Sequence, residues 1–299
     1  MVCCDDGDIV VTDFDFENQT LQQCTNFDEF LFFVINALGT ETLAVQFDTT
    51  EPFQQEQGIR TINLSTTSPV IYRRFNDEVT SDYFCSPIPP TEPLVAEEFI
   101  STAGILSLTT FVDEVDNDGI PSDDEGIEFT EEGFVDTEMS LDTDFDGLLD
   151  FMDEDDDGDN VLTFVECGCI DPETNMVNLD LAQDSDGDGI PDYLDEDDDN
   201  DGVLTINEDL DQNLNPANDF SDENSQMPDY LNPEVAIVTE ITEFRLHSFT
   251  RSNIEITASL TNLDLRNTNG EEVIRDITQL FLGTISGSGG TIMVTPDFN

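Results

Sequence analysis

A run of 26 residues, "DSDGDGIPDYLDEDDDNDGVLTINED" (184–209), holds ten Asp, two Glu and no basic side chain. It limits what this chain can fold into more than any other feature. Like charges a few ångströms apart repel by kilocalories even at moderate dielectric. Such a segment therefore either stays solvated as an acidic tail or is held together by cations. The whole chain carries a formal charge of -63, from 70 acids against 7 bases, and every base is Arg. No base lies between Arg74 and Arg245, whereas about 40 of the 70 acids lie between Asp113 and Asp229. This balance excludes nucleic acid and anionic lipid surfaces as partners, because both need cationic contacts.

Spacing decides between tail and cation array. At a constant offset of 42 residues, Asp142, Asp144, Asp146, Gly147, Asp150 and Asp153 fall on Asp184, Asp186, Asp188, Gly189, Asp192 and Asp195. The same offset carries Asp155, Asp157, Asp159 and Glu166 onto Asp197, Asp199, Asp201 and Glu208. A disordered tail has no reason to keep register. A weaker copy, "EVDNDGIPSDDE", contributes Asp116 and Asp118, and a decayed one, "SQMPDYLNP", follows around Tyr230. The array thus spans 113–233.

Each strong unit reads D-x-D-x-D-G-x-x-D-x-x-D. Calcium takes 6–8 hard oxygen ligands, and alternate residues of a tight loop can aim carboxylates at one ion while a glycine lets the backbone turn. Asp150 and Asp153, or Asp192 and Asp195, would close the shell, with Asp153 and Asp195 able to bridge neighbouring ions. Magnesium, the runner-up, keeps its waters and seldom occupies all-protein cages. Zinc would want Cys or His, and the array offers only Cys167 and Cys169. "DSDGDGIPDYLD" resembles the thrombospondin type 3 repeat, an aspartate-rich module that wraps backbone around calcium. The resemblance covers about 40% of the chain and implies several bound calcium ions, on the order of 4–7. The chain departs from that family in lacking its frequent disulfide after each motif.

The flanks have another character. "FLFFVIN" (30–36), "TLAVQFD" (42–48), "PVIYRRF" (69–75), "GILSLTTF" (104–111) and "SNIEITASL" (252–260) are β-branched or aromatic, bounded by turn formers, and read as antiparallel strands. Asn269-Gly270 and "SGSGG" (286–290) mark turns. The fold is expected to be mainly β: an antiparallel β-sandwich (13–112 and 234–299) interrupted by the calcium array (113–233), after a tether at 1–12. Two separate β-domains joined by a calcium rod are the alternative.

Cys24 and Cys85 both lie in the first β region and are a candidate disulfide. Cys167-Gly-Cys169 is either a strained local bridge or two free thiols. "MVCCDDGD" resembles the start of a mature bacterial surface lipoprotein, with Cys4 or Cys3 lipidated and Asp5, Asp6 and Asp8 as an acidic surface tag. That resemblance implies a lipid anchor on the outer membrane of a Bacteroidota cell, facing outward, where millimolar calcium suits modules with dissociation constants of about 10⁻⁴–10⁻³ M.

His247 is the chain's one histidine, and in "TEFRLHSF" it reads as a surface residue sharing a strand face with Glu243 and Arg245. No G-x-S-x-G, P-loop, H-E-x-x-H or dinucleotide fingerprint occurs, and a carboxylate pair has no diagnostic value among so many acids. The expectation is no enzyme, and no catalytic or organic-cofactor residues. The layout, with "YRRFN" and "SDYFCSPIPP", is similar to flavobacterial surface lipoproteins. It implies an accessory subunit of an outer-membrane complex built on a β-barrel protein, for nutrient transport, secretion or barrel assembly. A free-standing calcium-stiffened adhesin or glycan-binding module is the alternative. The rare pair Arg73-Arg74 is either a contact point for such a partner or a structural ion pair with the belt.

Overall fold

The computed structural model describes residues 16, 19–24, 29–50, 52–88, 90–222, 224–268 and 273–298. The tether with Cys3, Cys4, Asp5, Asp6 and Asp8, and the Asn269-Gly270 turn, lie outside them.

The chain is mainly β, with strands β1 (Gln22–Cys24), β2 (Phe30–Ile35), β3 (Glu41–Phe47), β4 (Gly58–Asn63), β5 (Val70–Phe75), β6 (Val95–Ser101), β7 (Ile105–Val115), β8 (His247–Asn267), β9 (Val273–Ser286) and β10 (Gly290–Val294). They join in one hydrogen-bonded sheet in the order β1-β2-β3-β5-β6-β8-β7-β4, and β9 and β10 also pair with β8. The ladders are antiparallel.

Two compact units divide the chain, 1–112 with 253–288 and 113–252 with 289–299. In the first, residues from both sides of the acidic belt share one apolar core, including Phe32, Val34, Leu43, Val45 and Tyr72 from one side and Ile256, Ala258 and Leu260 from the other. The run "FLFFVIN" has no polar alternation because β2 is covered on both faces. Phe32 and Val34 enter that core, and Phe33 enters a second cluster with Ala44, Phe75 and Phe84. A short helix, Asp82–Cys85, brings Phe84 onto Phe33 with ring centroids 4.4 Å apart. The Cys24–Cys85 disulfide, with Cα atoms 5.2 Å apart, fastens that helix to β1. Arg73 and Arg74 pair across the sheet with Glu98 (2.7 Å) and Glu97 (2.9 Å), and among the described residues their ion-pair partners lie on strands of the sheet.

The second unit is built differently. Its buried apolar cluster among the described residues is Ile120, Cys167, Cys169 and Tyr193, and further buried apolar side chains such as Phe151, Val161 and Tyr230 lie outside that cluster, a small core for well over a hundred residues. Short turns replace long elements, and they keep the 42-residue period of the sequence. Turns at Asp150–Met152 and Thr163–Glu166 recur at Asp192–Leu194 and Thr205–Glu208. The unit reaches beyond the acidic belt: where the sequence pattern puts the return to the sandwich at 234, residues 234–252 and 289–299 group with the belt. The physical reason is hydrogen bonding by an extended strap. Thr239 N–H donates to the Asn207 carbonyl (2.7 Å), and Arg245 N–H donates to Asn160 Oδ1 (2.8 Å). β10 then pairs Gly290–Val294 with His247–Arg251 of β8.

Candidate metal centre

The aspartates of the array divide their two oxygens between separate tasks. Oδ1 of Asp116, Asp144, Asp159 and Asp199 accepts the N–H two residues ahead at 2.7–3.1 Å, and Asp118, Asp146, Asp153 and Asp201 do the same. These local turns set the loop without help from a helix or a ladder. In all eight residues Oδ2 is buried and has no hydrogen-bond partner. Glu125, Glu166 and Glu208 leave both oxygens buried and unpartnered, the arrangement a bidentate ligand needs.

A buried carboxylate without a donor is strongly unfavourable unless it is protonated or meets a cation. Burial, with neighbouring carboxylates adding to it, pushes Glu125 up to about 9 and Asp156 up to about 11. Burial also raises Asp144 to about 8, opposed by its own turn hydrogen bond. Asp157, Asp159 and Glu166 stand well above the carboxylate range for the same first cause. At neutral pH each of these groups therefore either keeps its proton or exchanges it for a cation.

Donor oxygens converge in several places. Asp116, Asp118 and Glu125 form one group, Asp142, Asp144 and Asp146 a second, and Asp155, Asp157 and Asp159 a third; in each group the donor atoms lie within 4.8 Å of one another. A further group takes Asp159 and Glu166 from one repeat and Asp198 from the next, which ties the repeats together. The Asp146, Asp153 and His247 group carries a carboxylate from one loop to the start of the following run. These buried clusters can hold metal ions.

Other expected ligands have different surroundings. Asp150 accepts from Thr143 N–H and Oγ1, both at 2.8 Å, and Asp192 accepts from Ser185 N–H (2.6 Å) and Oγ (2.8 Å), so both staple their loops shut. Asp184 and Asp188 are exposed. Asp184 accepts from the N–H groups of Gly187 and Gly189, and Asp186 from Asn200 Nδ2 at 2.8 Å. Asp195 and Asp197 are partly buried, and each accepts a backbone N–H, from Asp197 and from Gly202.

Sequence reasoning missed Glu125, Asp198, Asp156 and His247. Glu125 has a signal: it lies seven residues after Asp118, as Glu166 follows Asp159 and Glu208 follows Asp201. Asp156 and Asp198 are equivalent at the 42-residue offset, but strict alternation passes over them. Both are buried, at 2% and 1% exposure.

The reading of His247 as a surface residue is corrected. It is completely buried, with Nδ1 2.6 Å from Asp153 Oδ1 and Nε2 3.7 Å from Asp155 Oδ2. Burial alone would lower its pKa, but the contact and charge of Asp153, with the charges of Asp155 and Asp146, hold it above the usual value. Cys167 and Cys169 are bridged to each other, which removes the only thiolates of the array as zinc ligands.

Compared with protein families, curated proteins and solved structures, the chain matches none.

Proposed function

We propose that the acidic unit is a calcium-folded array, and that calcium ions supplement its small hydrophobic core. The observation that carries this reading is the set of buried oxygens without donors, repeated at the same position of successive loops. Calcium fits them best because the donors in the Asp116, Asp142, Asp155 and Asp159 groups are all carboxylate oxygens, some single and some able to bind in bidentate fashion. The likeness of the motif to thrombospondin type 3 repeats supports the same ion.

On this reading the protein is a structural, non-enzymatic component of the outer surface: a lipid-anchored accessory subunit of an outer-membrane complex, stiffened by extracellular calcium. The support for this wider step is the likeness of the motif "MVCCDDGD" to surface lipoproteins and the acidic insertion in one β unit.

Two experiments test the two levels. Amide exchange across 142–208 should slow strongly when calcium is added and return to unfolded rates with chelator; equal exchange in both states would remove the calcium reading. Purification from native outer membranes in mild detergent should retain a barrel protein with calcium and lose it with chelator. Elution of the chain alone in both conditions would remove the subunit reading.

A further inference from the structure

His247 is a nitrogen donor set among carboxylates. It opens β8, is completely buried, and is the one histidine of the chain. Its Nδ1 approaches Asp153 Oδ1 to 2.6 Å, yet neither ring nitrogen has a hydrogen bond of acceptable geometry. Oδ2 of Asp146 and Oδ2 of Asp153 are likewise buried without a donor. One donor atom from each of these three residues lies within 4.8 Å of the others. An imidazole that merely steadied a calcium loop would be expected to donate an aligned N–H to a ligand carboxylate. This ring does not.

Ion chemistry separates this group from its neighbours. Calcium prefers oxygen throughout and gains nothing from an imidazole, whereas zinc and related first-row dications bind nitrogen and carboxylate together. Ring nitrogens and carboxylate oxygens left unpaired in a closed site are each unfavourable, the charged ones most. A single dication of the zinc class would take one ring nitrogen and a carboxylate oxygen from each of Asp146 and Asp153 at once, leaving the other ring nitrogen to face Asp155. We propose that His247, Asp146 and Asp153 bind one zinc-class transition-metal ion, in addition to the calcium the array holds. The proposal rests on the calcium-folded reading only in that the array must be assembled. It concerns a different ion, and its ligand set shares Asp146 with the Asp142 group but includes a nitrogen donor.

The single histidine makes the test site-specific. The full chain, saturated with calcium, is titrated with Zn²⁺ and separately with Co²⁺ while the ring ¹H and ¹⁵N signals of His247 are followed by NMR. One equivalent of Zn²⁺ should move both ring nitrogens, and Co²⁺ should shift the ring signals far outside their ordinary range. His247→Gln should weaken the tight zinc equivalent at least about tenfold, as read by calorimetry in the presence of calcium.

Ring signals that stay in place through several equivalents of Zn²⁺ would overturn the proposal. So would zinc displaced from the ring by millimolar calcium, which would make this an ordinary calcium group with histidine as a bystander. Amide exchange recorded before zinc is added reports separately whether calcium orders the array, so failure of that reading is distinguishable. The wild-type ring signals decide the zinc site even where the Gln variant does not fold.

Discussion

Neutralising Glu125 should have opposite effects with and without calcium. Both of its oxygens are buried and unpartnered, and Asp116 and Asp118 share its site. Burial, reinforced by those two charges, pushes its pKa from 4.5 up to about 9. Without metal at about pH 7.5 the folded unit must therefore take up a proton that the unfolded chain does not hold. Three pH units at about 1.4 kcal/mol each make that roughly 4 kcal/mol, and solvent screening reduces it to about 2. Glu125→Gln removes this term and should stabilise the metal-free unit. With calcium bound, the same change deletes a charged ligand and should weaken binding at least about tenfold, or about 1.4 kcal/mol. Amide exchange of the 113–166 segment, measured in chelator and in millimolar calcium, reads both signs. A variant that shifts stability in the same direction in both conditions would refute the argument that this carboxylate is held in place for a cation.

Further outcomes follow from other parts of the structure. In chelator the acidic unit should be best ordered near pH 4 and lose order as pH rises towards 9. Asp116, Asp144 and Glu208 have folded pKa values raised to about 8, 8 and 9, so their contribution is full below the unfolded values and lost through the folded ones. With calcium the trend should invert, and circular dichroism across that range checks both. Gly158→Ala drives a Cβ into Asp144 Oδ2 at φ +70°, whereas Gly147→Ala, at φ +99°, meets nothing within 4 Å. Both should cost about 1–2 kcal/mol from the left-handed backbone, but only Gly158→Ala should also lower calcium affinity in a titration. Replacing Cys24 and Cys85 together by Ala opens a loop of 61 residues and should destabilise the β unit by about 4 kcal/mol in denaturant unfolding. Leu260→Ala, in the shared core at 0% exposure, should cost about 2–5 kcal/mol in the same assay.

The parts of the fold legible in the sequence were those where the local pattern and the final environment coincide. β2, β3, β5 and β7 follow their apolar runs closely because each is buried by its own side chains. β4 and β6 escape such reading: "GIRTIN" has no fully buried residue, and "VAEEFIS" carries two glutamates that serve as cross-strand partners of Arg73 and Arg74. Their strand state is imposed by neighbours in the sheet, not by their composition.

The acidic unit shows the same division at the level of chemistry. Aspartates that cap the backbone two residues ahead do so by a local rule, so their spacing exposes them directly. The inter-repeat group of Asp159, Glu166 and Asp198 requires two copies of the repeat to be stacked, and a one-dimensional pattern does not contain that step. His247 lies further still from what a pattern reveals. Alternation along "FRLHSF" assumes a strand where β8 only begins at His247, and the burial of that ring comes from a loop whose nearest oxygen belongs to Asp153, far earlier in the chain. The two kinds of residue therefore answer to different perturbations. Loss of a capping aspartate should loosen one turn, whereas loss of Asp198 should uncouple neighbouring repeats, because its carboxylate meets ligands that begin in the preceding one. In a calcium titration, Asp198→Asn should lower the steepness of folding more than Asp184→Asn, whose side chain is exposed and serves its own loop. Equal, fully cooperative transitions in both variants would mean that the repeats fold together through the backbone and not through shared ions.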